Sequence, residues 1–572
     1  MKSHTITIKI GGEAGFGIKV AGATLARIFS RAGYQLYDYT EYPSLIRGGH
    51  NAYELTIGKT VHHHVRPVNL LIALNQQTVD FHVSELSTDA GIIFDPDKVK
   101  PAPPARAFPV PFSKLVKDIN GSEMMKNTVA LGAALAVLGA NIEGLLDLLR
   151  QTFSKKGPAV VDINIKAATA GYQYVKSNFS EPFAYQVESQ SASPQLYITG
   201  NEAAGFGALA GGCSAFFAYP MTPATSLMEF MMKAAPKFGV LARQCEDEIS
   251  VLNSAIGAGF AGARSMVATS GGGYSLMVEA TGLAGMTETP VVIFLVQRPG
   301  PATGLPTWSG QADLRFALHA AQDEFPRVIL APGDVEECFY HTAAALNFAE
   351  KYQLPVFVLS DKNLAEGGKT VAPFDQSKIK IEKGEWLSQL SGEEYLRYKL
   401  TATGVSPRVL PGTAGALQIG NSDEHDEFGY STDDGATRTQ QMEKRMKKME
   451  TLLKELPEPI LYGPQKADLT IVSWGSNKGP ILQAMEELSG VSVNFLHFIY
   501  VWPFPTPNSE RLIREAGKLL VIEQNFSGQF EGLIRQHVGR VPEEHLRKYD
   551  GRPIWPHEIA EKIKRLLSDS GQ

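Results

Sequence analysis

Three carboxylates stand in a row at Glu246, Asp247 and Glu248, and the chain turns from them at once into an apolar, small-residue run, Ile249-Ser-Val-Leu-Asn-Ser-Ala-Ile-Gly-Ala-Gly-Phe260. Ile249, Leu252, Ile256 and Phe260 recur at helical spacing, which predicts a helix with one buried apolar face. Carboxylates in a first turn offset the helix dipole and cap free N–H groups, and that reading suits Glu246 and Asp247. Glu248 differs, because it sits at the edge of the apolar run, where burial raises a carboxyl pKa unless a donor meets it. Such a group is placed to hold or share a proton. The glycines of the run each lower helix propensity by about 1 kcal/mol, so the segment points to close approach of another backbone or of a ligand.

Three more stretches supply partners for that carboxyl group. Thr222 stands between two prolines in Tyr219-Pro-Met-Thr-Pro223, after the apolar Ala215-Phe-Phe-Ala218. Gly271-Gly-Gly273 follows Ser265-Met-Val-Ala-Thr-Ser270, and Arg298 follows the buried-strand pattern Val291-Val-Ile-Phe-Leu-Val-Gln297. Each stretch reads as a strand that delivers its polar residues at the carboxyl end, where open α/β sheets bind ligands. A planar cationic fork suits a carboxylate, and a hydroxyl can supply a second donor.

The motifs Tyr219-Pro-Met-Thr-Pro223, Glu246-Asp-Glu-Ile249, Thr269-Ser-Gly-Gly-Gly273, Arg298-Pro-Gly-Pro301 and Thr303-Gly-Leu-Pro-Thr307 occur in one order. This pattern resembles the pyrimidine-binding domain of thiamine diphosphate enzymes, and more narrowly the alpha subunit of the 2-oxoacid:ferredoxin oxidoreductases. The resemblance implies that Glu248 touches the aminopyrimidine ring of the cofactor as the catalytic acid–base group. It also implies that Thr222, Arg298 and Tyr219 hold the 2-oxoacid.

The chain has 572 residues, 44% hydrophobic and 20% charged, which is enough for three or four globular domains. A net charge of -6 offers no electrostatic case for nucleic acid. No apolar run approaches the roughly 20 residues of a membrane span, and the first residues alternate as a strand rather than a signal peptide, so a cytoplasmic protein is expected. Only Cys213, Cys245 and Cys338 are present, far apart, so this chain does not supply the four thiolates of an iron–sulfur cluster.

Residues 1–185 read as a first α/β unit. The strand Thr5–Ile10 runs into Gly11-Gly-Glu-Ala-Gly-Phe-Gly17 and then a helix from Ile18 to Ala32, and a glycine turn at a helix N-terminus presents N–H groups to phosphate. The alternative is a tight turn that binds nothing. Glu41-Tyr-Pro-Ser-Leu-Ile-Arg-Gly-Gly-His-Asn51 adds a basic, glycine-rich loop facing the same cleft. Together these resemble the gamma domain of the same oxidoreductases, which implies coenzyme A binding with Gly11, Gly12, Gly15, Gly17 and Arg47 as candidates. His62-His-His64 reads as strand, where neighbours point to opposite faces and chelate poorly. No metal site is expected in this chain.

A Ser/Gln-rich linker at 185–195 leads to the pyrimidine-binding unit, residues 196–370. Residues 371–465 are irregular and charged. Asp423-Glu-His-Asp-Glu427 there reads better as a solvated acidic loop than as a metal site, and the resemblance implies that this region covers part of the active-site mouth. Residues 466–572 form another α/β unit that resembles the transketolase carboxyl-terminal domain, with Asn525 near the active site. The expected fold class is α/β throughout.

A self-sufficient thiamine diphosphate enzyme also carries a Gly-Asp-Gly segment followed by Asn, which holds Mg²⁺ and diphosphate. No such set is found here. The resemblance then implies a fused gamma–alpha subunit whose beta partner carries the Mg²⁺ and diphosphate site and a [4Fe-4S] cluster, assembled as a dimer of alpha–beta heterodimers and reducing ferredoxin. The substrate pattern looks most like 2-oxoglutarate, with branched-chain 2-oxoacids and pyruvate as alternatives and Arg408 or a partner residue as the second cation. A transketolase-like transferase and a non-catalytic CoA-binding subunit are the readings from other classes.

Overall fold

The computed structural model describes residues 5–45, 48–100, 105–188, 195–390, 392, 394–488 and 490–568. Three sheets carry these residues. The first has eight strands in the order Arg106–Pro109, Leu86–Phe94, Val68–Ala73, Ile6–Glu13, His50–Gly58, Gln35–Glu41, Gly368–Val371 and Leu196–Thr199. Ile6–Glu13 runs parallel to Val68–Ala73 and antiparallel to His50–Gly58. Ile8, Ile10, Leu70 and Ile72 are buried against the alanine-rich helix Lys126–Val137. That helix crosses Pro158–Asn178 at glycines, since a Cβ on Gly132 would meet the Ala168 carbonyl oxygen and one on Gly171 that of Val129. The α/β class expected from the periodicity is the class found.

Two local expectations change. The first strand extends through Gly11 and Gly12 to Glu13, paired to Ala52, Asn51 and His50 of the neighbouring strand, so only Gly15 and Gly17 belong to the turn. His62–His64 lie in an irregular bend rather than a strand. There the buried ring of His63 packs tilted against Tyr37 and that of His64 stacks on Tyr39, while His62 pairs with Glu486 at 2.9 Å.

The second sheet has seven strands in the order Tyr500–Trp502, Val328–Leu330, Pro355–Asp361, Val291–Gln297, Ser265–Thr269, Ala215–Ala218 and Leu241–Gln244. All neighbours are parallel except the pair at Tyr500–Trp502, a strand that reaches in from the carboxyl-terminal unit. Near-continuous apolar runs such as Val291–Gln297 are what a strand covered on both faces requires. The third sheet orders Ile460–Tyr462, Val493–Phe498, Leu469–Trp474, Lys518–Glu523 and Glu544–Arg547.

Residues 371–465 hold little regular structure beyond the helix Gly435–Leu453. That charged helix is anchored by burial of Lys444 and Lys448 on Glu288. The acidic loop is used locally: Glu424 takes Arg438 and Arg445, and Asp426 accepts three backbone N–H groups. Leu410 and Trp386 pack at Gly262, and Phe260 at Gly420, so this region meets the carboxyl end of the Glu248–Phe260 helix. No described helix is long and apolar enough to cross a membrane.

Candidate active site

Four adjacent parallel strands of the second sheet, Val291–Gln297, Ser265–Thr269, Ala215–Ala218 and Leu241–Gln244, end side by side. Just beyond them the chain places Arg298, Gly271–Gly273, Thr222 and Glu248. The sequence marked three of these strands. The fourth, Leu241–Gln244, is a short and largely exposed edge strand, with no apolar alternation to announce it.

Asp247 caps the next helix, accepting the Ser250 N–H at 2.8 Å, and Glu246 is exposed. Glu248 begins the helix and is 4% exposed, with its Oε1 enclosed and without a hydrogen-bond partner. Leaving a buried carboxyl oxygen unsatisfied is costly, so the site is shaped for a donor from outside the chain. Turning Glu248 inward rotates its neighbour out: Ile249 is 50% exposed, and the buried face is Val251, Leu252, Ala255 and Ile256. The stripe expected through Ile249 is therefore displaced around the helix.

The three glycines explain how the groups meet. A Cβ on Gly273 would stand 2.7 Å from Glu248 Oε1, and one on Gly272 would stand 3.8 Å from Arg298 Nη2. A Cβ on Gly271 would stand 2.6 Å from Oδ2 of Asp313. Gly271–Tyr274 is one short helical turn, and Gly271 and Gly273 leave room that side chains from elsewhere occupy, while Gly272 stays open.

Arg298 Nη1 donates to the Thr222 carbonyl oxygen at 2.5 Å, while its Nε is enclosed without a partner. Burial lowers its pKa, and Asp313 pulls the other way. Thr222 thus aims the guanidinium through its backbone. The Tyr219–Ala224 turn is itself fixed by Ala224 N–H to Met221 O at 2.7 Å and by Asn201 Nδ2 to Pro223 O at 2.9 Å. Tyr219 packs half-buried on the core beside that turn. Asn525 donates to the Gln311 carbonyl at 3.1 Å, bringing the carboxyl-terminal unit to the loop after Arg298.

Other candidates separate. Arg408 is buried on Glu350 and stacks over Trp386 at 4.2 Å, so it is not free to meet a substrate. A Cβ on Gly11 would meet Thr78 Cγ2 at 2.6 Å, and one on Gly12 would meet Ile18 at 3.0 Å, so side-chain packing accounts for both glycines. Gly15 lines a cavity of about 130 Å³ with Phe16, Lys98, Lys126 and Asn127, while Gly17 has φ 70° at the helix start. Arg47 lies outside the described residues. The flanks of its loop, Glu41–Leu45 and Gly49–His50, line a different cleft of about 970 Å³ with Arg66, Trp308, Arg552 and Trp555. The glycine turn and the described flanks of the loop line different cavities. In the cleft, Arg552 lies 3.4 Å over Trp308 and Arg66 lies 3.9 Å over Trp555. Among the described residues no group of His, Cys, Asp and Glu is gathered to hold a metal.

Comparison with known proteins matches most of the chain. Residues 206–445 match the family model for the thiamine-diphosphate-binding part of pyruvate flavodoxin/ferredoxin oxidoreductase, and residues 7–174 match that for pyruvate ferredoxin/flavodoxin oxidoreductase. The alpha subunit of 2-oxoacid:ferredoxin oxidoreductase 2 from Aeropyrum pernix is 31% identical over 98% of both chains. The 2-oxoglutarate synthase subunit KorA of Methanothermobacter thermautotrophicus is 33% identical, covering 65% of this chain and 99% of its own. The 2-oxoglutarate:ferredoxin oxidoreductase of Magnetococcus marinus, solved with 2-oxoglutarate, coenzyme A and succinyl-CoA bound, superposes with a TM-score of 0.93 at 31% identity over 99% of this chain and 100% of that one. With Glu248 and Arg298 brought together on a glycine turn and relatives matched end to end, the chain belongs to the alpha subunits of the 2-oxoacid:ferredoxin oxidoreductases.

Proposed function

We propose that this chain is the fused gamma–alpha subunit of a CoA-acylating 2-oxoglutarate:ferredoxin oxidoreductase. A beta partner would hold Mg²⁺, the diphosphate and a [4Fe-4S] cluster. The reaction is oxidative decarboxylation of 2-oxoglutarate to succinyl-CoA and CO2, with two electrons passed to ferredoxin, or the reverse carboxylation. The observation that carries this reading is the enclosed, partnerless Oε1 of Glu248 at Gly273, with the guanidinium of Arg298 at the adjacent Gly272.

The residues fit the cofactor. Thiamine diphosphate, when bound, supplies a thiazolium carbon and an electron sink for loss of CO2. Glu248 would hold a proton against the aminopyrimidine, in a site dry enough for that contact to be strong. Arg298, held by Thr222, would grip the 1-carboxylate of the 2-oxoacid with two parallel donors. With Arg408 locked on Glu350, the second carboxylate of 2-oxoglutarate falls to a cation of the partner subunit. The Magnetococcus marinus enzyme, bound to 2-oxoglutarate and coenzyme A, supports both ligands for this chain. Coenzyme A is assigned to the first unit, with Gly15, Gly17 and Arg47 as its remaining candidates.

The test is reconstitution with the partner subunit and comparison of 2-oxoglutarate, pyruvate and a branched-chain 2-oxoacid in CoA-dependent ferredoxin reduction. Preference for 2-oxoglutarate is expected. Preference for either other acid would overturn the substrate, and no CoA-dependent reduction with any of them would overturn the reaction.

A further inference from the structure

Four enclosed polar atoms without a partner lie around the turn Ser270–Tyr274: Glu248 Oε1, Ser270 Oγ, Arg298 Nε and Asp313 Oδ2. Glu248 and Arg298 have roles in the proposed reaction, but Asp313 has none. It also lacks the two ordinary uses of an aspartate in its position. It directly precedes the helix Leu314–His319, yet its side chain makes no capping hydrogen bond there. It forms no ion pair among the described residues, although Arg298 is near enough to act on it electrostatically. Its backbone N–H is fixed to Gln297 Oε1 at 3.0 Å, which turns the carboxyl group onto Gly271. The three consecutive glycines therefore carry Asp313, Arg298 and Glu248 in that order.

We propose that Asp313 is a positioning residue for the 2-oxoacid: ionised, it competes with the substrate carboxylate for the field of Arg298, and protonated, it leaves that guanidinium free. The inference rests on Arg298 as the carboxylate-binding group. Other charges around Asp313 are set apart from it. Glu248 lies beyond Gly273, Asp361 is engaged by Ser309 and Gln311, and Arg315 on the same helix reaches to Gly532. Burial pushes the Asp313 carboxyl up to about 6 against the pull of Arg298, so its change of charge falls inside the pH range of the test below. Below that pH Asp313 is neutral and an anion at Arg298 binds tighter. Above it Asp313 is ionised and binding loosens, and an arriving carboxylate draws a proton back onto Asp313. Linkage makes the two effects reciprocal.

The experiment uses the enzyme reconstituted with its partner subunit and oxalate as a carboxylate probe that stays fully ionised above pH 5.5. Its inhibition constant against 2-oxoglutarate should weaken about three- to tenfold from pH 5.5 to 7.5, the effect of one partly screened charge at a few ångströms beyond contact. In Asp313→Asn the constant should stay tight and flat, and calorimetry in two buffers should show that proton uptake on oxalate binding has gone. A flat profile in the unmodified enzyme overturns the proposal without any variant. A slope that persists in Asp313→Asn, or weaker binding in that variant at every pH, also overturns it. Arg298→Lys separates the two levels: an unchanged KM there removes Arg298 from the site, whereas a raised KM with an unaltered Asp313→Asn profile removes Asp313 alone.

Discussion

Glu248 was legible in the sequence because a charge at the rim of an apolar helix has few structural excuses. Its neighbours in the triplet had one, and Asp247 takes it as a helix cap. Asp313 was not legible, because an aspartate before an apolar helix reads as a cap, and only the turned-away side chain shows otherwise. Arg408 failed in the opposite sense, since a surface loop in the sequence proved to bury it on Glu350. The role of Glu248 has a direct test. Glu248→Gln keeps shape but removes the shared proton, and positioned acid–base groups contribute roughly 10²–10⁴-fold, so turnover should fall within about that range. Cofactor binding should survive, because the diphosphate is held elsewhere. Exchange of the thiazolium C2 proton, followed by NMR on the loaded complex, should slow with turnover. Exchange at the unmodified rate would leave Glu248 as no more than a buried carboxyl group.

At the scale of elements, strands buried on both faces announced themselves as apolar runs, while the edge strand Leu241–Gln244 did not, being short and exposed. The glycine run read as a turn and is one turn of helix, Gly271–Tyr274. Its three glycines look equivalent in the sequence, and the structure separates them. A Cβ on Gly272 meets nothing closer than 3.8 Å, whereas one on Gly273 runs into Thr269 Oγ1 and stands 2.7 Å from Glu248 Oε1. Gly272→Ala should therefore stay within about 0.5 kcal/mol of the parent in stability, as open positions do. Gly273→Ala must displace Glu248 or Thr269, and misplacing a reacting group by about 1 Å can lower rate on the order of 100-fold. Parallel melts and turnover numbers of the two variants check this. Equal behaviour of the pair would mean that Glu248 is not held against Gly273.

At the scale of the whole molecule, composition shifts divide the chain near residues 185–195 and 370, and the sheets pair across both divisions. Residues 189–194 of the expected linker lie outside the described residues, but the strands on either side of the second unit are clear. Leu196–Thr199 and Gly368–Val371 close the first sheet, with Lys369 paired to Tyr37 and Leu36 N–H donating to Thr370 Oγ1 at 2.8 Å. Long-range pairing of this kind leaves no local pattern to read. More is shared than backbone. Asn363 Nδ2 meets His63 Nε2 at 3.0 Å, the Thr307 hydroxyl donates to Tyr42 O at 2.7 Å, and the buried ammonium of Lys362 donates to Thr40 O and lies 4.3 Å over Tyr39. Removing residues 1–185 would leave Lys362 and Asn363 without these partners and expose the edge of Gly368–Val371, and unpaired buried groups are among the largest sources of destabilisation. Thr307 lies in the loop that follows Arg298, and Lys362 follows the strand that ends at Asp361, so the disturbance would reach the site. The truncated chain should melt well below the full chain, show raised aggregation through the freed strand edge, and lose 2-oxoacid turnover as well as its response to coenzyme A. Thermal melts and light scattering of residues 186–572 beside the full chain decide it. A soluble fragment melting with the parent would show that the first unit is an independent body, joined to the second without sharing its stability.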